Sequence, residues 1–154
     1  MRRKNEITGN QRGYKRTMDG YPMTGEKILI VEDNAIVALE TKERLKRLGY
    51  TIAGVVGTGR DAISMARTAM PDMVLMDINL KGDIDGITVA EQIRTFCPAP
   101  VIFITAYANE EIKSRAMKTN PAAYLVKPFR ELELYSTIEK AFKMSGSRDA
   151  MAGT

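Results

Sequence analysis

The chain has 154 residues, 44% of them hydrophobic and 27% charged, a balance that suits one globular domain with a single core. It contains no histidine and one cysteine, Cys97, which excludes Ser-His-Asp and Cys-His catalysis, the usual zinc sites and an intrachain disulfide. The formal net charge of +4 resides in residues 1–24, which hold six basic and two acidic groups, so the rest of the chain is balanced and offers no basic face for nucleic acid.

Residues 1–24 are polar, lack apolar periodicity and read as a disordered basic tail. Three readings of the tail stay open: a solvated extension, a segment touching nucleic acid or a membrane surface, or a stretch ahead of a natural start at Met18 or Met23. No apolar stretch follows the basic N-terminus, and no run approaches the roughly 20 apolar residues of a membrane span, so cytoplasmic residence is the expectation. From residue 25 to 143 short apolar runs alternate with helical periods. The runs Lys27–Val31, Thr51–Val56, Met73–Met76, Val101–Ile104 and Ala122–Val126 have the length and branching of buried strands. Between them, 34–48 carries Ala38, Leu45 and Leu48 on one stripe and stops at Gly49. Residues 59–69 form a second helix ended by Pro71, and 87–96 a third ended by Pro98. Residues 109–118 are weakly amphipathic, and 130–143 repeats Leu134, Ile138 and Ala141. Residues 144–154 read as a short flexible tail with no room for an output domain. Five β-then-α repeats imply a parallel α/β sheet with helices on both faces. Four strands read as interior, and 51–56, weakened by Gly54, suits an edge.

The strand ends carry the chemistry. Val31 is followed by Glu32 and Asp33, Met76 by Asp77, Ile104 by Thr105, and Val126 by Lys127 and Pro128. In an open α/β sheet the carboxyl ends of the strands form the ligand crevice. Taken singly, Asp33 or Asn34 could cap a helix, Asp77 could begin a turn, Thr105 could end a strand and Lys127 could be solvated. Together at successive strand ends they converge. Clustered acids repel one another unless a cation sits among them, and a hard divalent ion such as Mg²⁺ suits carboxylates. The lysine and threonine then face an anion on that metal.

Glu32-Asp33, Asp77, Thr105-Ala106 and Lys127-Pro128 resemble the signature of response-regulator receiver domains over about residues 26–143. The resemblance implies a flavodoxin-like sheet of strand order 2-1-3-4-5. It implies that Asp77 is the phosphoacceptor, that Asp33, Asp77 and the backbone carbonyl of Asn79 hold Mg²⁺, and that Glu32 acts through water. It further implies that Lys127 pairs with the phosphoryl oxygens and that Thr105 and Tyr124 form a switch, with Tyr124 turning inward as Thr105 moves. A cis Lys127–Pro128 bond is expected, because cis is cheap only before proline. The implied donor is a sensor histidine kinase or phosphotransfer protein, or a small acyl phosphate, with an unidentified downstream protein as target. A homodimer through the last two helices follows by analogy. Such a chain is no enzyme beyond catalysing its own Mg²⁺-dependent phosphorylation and dephosphorylation.

After Asp77 this sequence departs from the family's usual Met-Pro pattern: Lys81 replaces proline and the loop to Gly86 is one residue longer. Asn79 and Tyr107 sit where the family tunes dephosphorylation. Two other motifs compete. Gly57-Thr58-Gly59-Arg60-Asp61-Ala62 matches a dinucleotide-binding turn, but it follows the weak edge strand and leaves Asp33, Thr105 and Lys127 idle. The acidic loop from Asp77 fails as an EF-hand at Lys81 and Thr88. The alternative function is a receiver-like interaction module that is never phosphorylated.

Overall fold

The alternation of apolar runs and amphipathic segments resolves into five β–α units in a computed structural model that describes residues 15–107 and 109–145. They are β1 (Lys27–Val31), α1 (Ala35–Arg47), β2 (Thr51–Val56), α2 (Gly59–Ala69), β3 (Met73–Asp77), α3 (Gly86–Arg94), β4 (Val101–Thr105), α4 (Glu110–Met117), β5 (Ala123–Val126) and α5 (Glu131–Ser145). All strands pair in parallel in the order β2-β1-β3-β4-β5, the flavodoxin-like arrangement expected.

Because side chains alternate across a strand, the continuous apolar runs feed two cores at once. Leu29, Val31, Val74, Met76, Val101 and Phe103 face α2, α3 and α4. Ile28, Ile30, Met73, Leu75, Ile102 and Ile104 face α1 and α5, where Leu45, Leu48, Leu134, Ile138 and Phe142 meet them. The helices start where a short polar side chain can accept the first free amides. Asn34 accepts from Ile36 and Val37, Thr58 from Asp61, Asp85 from Thr88 and Asn109 from Ile112. Asn34 therefore does the capping of α1 and leaves Asp33 to the crevice. Thr58, in the glycine-rich turn, serves as the cap of α2.

Three expectations change. The apolar run of β5 read as interior, but the strand lies at the second edge, as the implied order requires, with Val126 39% exposed; its apolar composition covers only the face packed on the core. The last helix runs to Ser145, past the boundary at 143. Residues 15–24, expected without structure, fold into a strap. Arg16 bridges Pro22, the Met23 amide donates to the Lys15 carbonyl at 2.6 Å, and the Tyr21 ring lies 4.7 Å from that of Tyr135 on α5. The strap is seated by close backbone approach: a Cβ at Gly49, where φ is +97°, would lie 2.1 Å from the Pro22 carbonyl oxygen. One aromatic anchor and a glycine supply this docking, and neither makes a periodic pattern. The expectations for residues 1–14 and 146–154 lie outside the described residues. Among the described residues no helix is long and apolar enough to cross a membrane.

Candidate functional site

The parallel sheet delivers Glu32 and Asp33, Asp77, Thr105 and Lys127 to one rim, from β1, β3, β4 and β5. Carboxylate oxygens of Glu32, Asp33 and Asp77 lie within 4.8 Å of one another. The Lys127 ammonium donates to Glu32 Oε1 at 2.8 Å and stands 3.9 Å from Asp77 Oδ2. Each acid also accepts a backbone amide: Glu32 from Asn34 at 3.1 Å, Asp77 from Asn79 at 2.9 Å, and Asp33 from Lys81 at 3.1 Å. The Lys127–Pro128 bond is cis.

The charges are unevenly balanced. Burial pushes Glu32 up, but the hydrogen bond from Lys127 and those with Asp77 and Asn34 outweigh it and hold its pKa below the ordinary value. Asp77 is pushed up to about 6, first by burial and then by the hydrogen-bonded, negative Glu32 beside it. One lysine thus serves one acid well and leaves the other under-neutralised. An all-oxygen donor set with surplus negative charge fits a hard divalent cation, and no soft or nitrogen ligand is present in the cluster.

Gly86 allows this packing. A Cβ there would lie 2.2 Å from the Asp77 carbonyl oxygen and 2.9 Å from Ile78 Cα, so α3 can begin against the end of β3 only with glycine. A cavity of about 190 Å³ opens behind the acids, between Val37 and Thr41 of α1 and Lys127 and Phe129.

Thr105 is fully buried and donates its hydroxyl to Asn79 Oδ1 at 2.9 Å while accepting the Tyr107 amide at 3.2 Å. Sequence reasoning placed Asn79 here for its carbonyl and missed this side-chain contact. Tyr124 packs beside Ile112 on the core under α4, and its hydroxyl is buried without a hydrogen-bond partner among the described residues. Burial, then the negative charge of Glu110, raises its pKa.

A doubly wound sheet that gathers three acids, a threonine and a lysine at adjoining strand ends defines a receiver-type signalling domain. The chain belongs to the response regulator receiver domain family, whose model matches residues 28–139. It is 34% identical over 137 residues to the transcriptional regulatory protein PdtaR of Mycobacterium tuberculosis, covering 89% of this chain and 66% of PdtaR. It is 29% identical to the chemotaxis protein CheY of Thermotoga maritima, over 77% of this chain and 99% of CheY. The signal receiver domain of a modulated diguanylate cyclase from Desulfovibrio desulfuricans G20 superposes with a TM-score of 0.76 at 35% identity, over 80% of this chain and 98% of that one. The chain spans just under two thirds of PdtaR and 28% of the transcriptional regulatory protein ZraR of Escherichia coli.

Proposed function

We propose that this receiver domain is a phosphoacceptor switch of a two-component phosphorelay, with Asp77 as the acceptor. The observation that carries the reading is the meeting of Asp77 with Glu32, Asp33 and Lys127 in one crevice, the amine 3.9 Å from the carboxylate that would react. A carboxylate oxygen of Asp77 attacks phosphorus in line, and the bond from phosphorus to the donor nitrogen breaks. The electron pair stays on the departing imidazole, which takes up a proton, and an aspartyl phosphate remains. Lys127 exchanges its bond to Glu32 for the phosphoryl oxygens, and Thr105 exchanges Asn79 Oδ1 for another of them. Asp33 and Asp77, with the Asn79 carbonyl, would hold Mg²⁺, and Glu32 would act through water. Bound there, Mg²⁺ supplies charge neutralisation for the transferring phosphoryl oxygens.

The donor is another molecule, since this chain has no histidine of its own: a phosphohistidine on a sensor kinase or phosphotransfer protein, or a small acyl phosphate. The downstream partner reads α4, β5 and α5, where Met117, Val126 and Leu132 are exposed apolar groups. The same face would serve a homodimer. The site of action is cytoplasmic, and the only catalysis is of the domain's own phosphorylation and dephosphorylation.

Incubation with Mg²⁺ and acetyl phosphate tests the reading by intact mass. Wild type gains one phosphoryl group and Asp77→Asn gains none. A wild type that gains nothing would favour an interaction module that works unphosphorylated. Lys127→Ala keeps its far-ultraviolet spectrum yet loses the beryllofluoride-induced shifts seen in wild type.

A further inference from the structure

We propose that the backbone amide of Lys81 is the positioning group that aims Asp33 at the metal. The inference rests on the metal-binding reading of the acidic crevice and adds what sets the orientation of its least constrained acid.

The three acids are held in different ways. Glu32 is fixed by both Lys127 and the Asn34 amide, and Asp77 by the Asn79 amide two residues on. Asp33 is half-buried, and its carboxylate has one hydrogen-bond partner among the described residues: the Lys81 amide, donating to Oδ2 at 3.1 Å from 48 residues away. A carboxylate has two oxygens and about four lone-pair directions, so one amide on Oδ2 restrains its rotation and leaves lone pairs free for an ion. A ligand oriented before the ion arrives loses less freedom on binding, which is the role of outer partners in metal sites.

The donor can do this because its loop is itself held. Arg60 of α2 reaches Asp83 at 3.1 Å, and Arg115 of α4 reaches Asp85 at 2.9 Å. Asp85 also caps α3, and Gly82, next to Lys81, takes φ +112°. The segment Lys81–Asp85 thus meets α2 and α4 through two exposed ion pairs, which contribute little, and is anchored chiefly by the Asp85 cap, with the Lys81 amide turned to Asp33. This is also where the sequence departs from the family pattern. A proline at 81 has no N–H to give, so the hydrogen bond to Asp33 depends on a residue other than proline here.

The test is a Mg²⁺ titration of the full chain followed by amide resonances of Asn79 and Thr105, for wild type, Lys81→Pro and Lys81→Ala. Lys81→Pro, which removes the N–H, weakens Mg²⁺ binding by about tenfold or more; Lys81→Ala, which keeps it, binds like wild type. Equal affinity of Lys81→Pro and wild type overturns the positioning role alone, as does an equal loss in Lys81→Ala. A wild type that takes up no Mg²⁺ overturns the metal reading and this inference with it. Should Lys81→Pro fail to fold, amide hydrogen exchange in wild type decides: Lys81 exchanges slowly and speeds up in Asp33→Ala. Exchange at Lys81 that is unprotected, or unchanged by Asp33→Ala, overturns the inference.

Discussion

Replacing Asp77 by asparagine should make the metal-free protein more stable at neutral pH while abolishing its chemistry. The carboxyl is buried beside Glu32 and is pushed from an ordinary 3.8 to about 6. Between those two values the folded chain keeps the proton that the unfolded chain gives up. Stability therefore falls as pH rises through that window and stays low above it. At about 1.36 kcal/mol per pH unit, the full effect at pH 7.5 is about 3 kcal/mol. Asparagine is nearly the same shape and can still accept the Asn79 amide, though a neutral acceptor gives up about 1 kcal/mol of that bond. The net gain is about 2 kcal/mol, or roughly 8 °C in Tm for a domain of this size. Thermal melts in chelator at pH 7.5 and pH 4.5 read it directly. The advantage shrinks to about zero at pH 4.5, where wild type is largely protonated in the folded state. On the proposed metal site, millimolar Mg²⁺ should also narrow the difference, because the variant has one carboxylate fewer to hold the ion in the folded state. An Asp77→Asn protein that melts at or below wild type at pH 7.5 without metal would refute the account of a destabilised acceptor.

Gly86→Ala drives a methyl group to 2.2 Å from the Asp77 carbonyl oxygen and should cost about 3 kcal/mol, with slower phosphorylation by acetyl phosphate; an unchanged melting curve would contradict the close approach. Asn79→Ala removes the 2.9 Å acceptor of the buried Thr105 hydroxyl. The Thr105 methyl resonance should then move, without any phosphoryl group, toward its beryllofluoride-bound position, and a static resonance argues that Asn79 does not hold the switch back. Tyr21→Ala removes the ring packed on Tyr135 and should cost about 1–2 kcal/mol in urea unfolding. No loss would mean the strap is not docked in solution.

The architecture was legible because β–α alternation needs only the period of apolar residues, and the crevice because its chemistry falls at strand ends that topology brings together. Glu32, Asp33, Asp77, Thr105 and Lys127 meet as the motif spacing required. What the letters hid is of another kind. The Lys81 amide is a backbone group that every residue except proline carries, so nothing marks it until the loop is folded. The Asn79 side chain reaches Thr105 at the end of the neighbouring strand, 26 residues away, a pairing without local signature. The strap docks through Tyr21 on Tyr135 of α5 and through the close approach of Pro22 to Gly49 after α1, and polar composition around Tyr21 masked it. The edge position of β5 followed from the implied strand order and not from its apolar run, because half-buried and fully buried short strands look alike when only four residues long.

The strap has a spectroscopic corollary. The chain lacks tryptophan, so its near-ultraviolet emission comes from six tyrosines. Tyr21, Tyr50 and Tyr135 gather beside α5, their neighbouring rings 4.7 and 6.2 Å apart, while Tyr107 bonds Thr105 through its amide and Tyr124 lies on β5, the strand paired with β4. Exchanging Tyr14, Tyr21, Tyr50 and Tyr135 for phenylalanine would leave light from the signalling end alone, giving a label-free optical gauge of the switch.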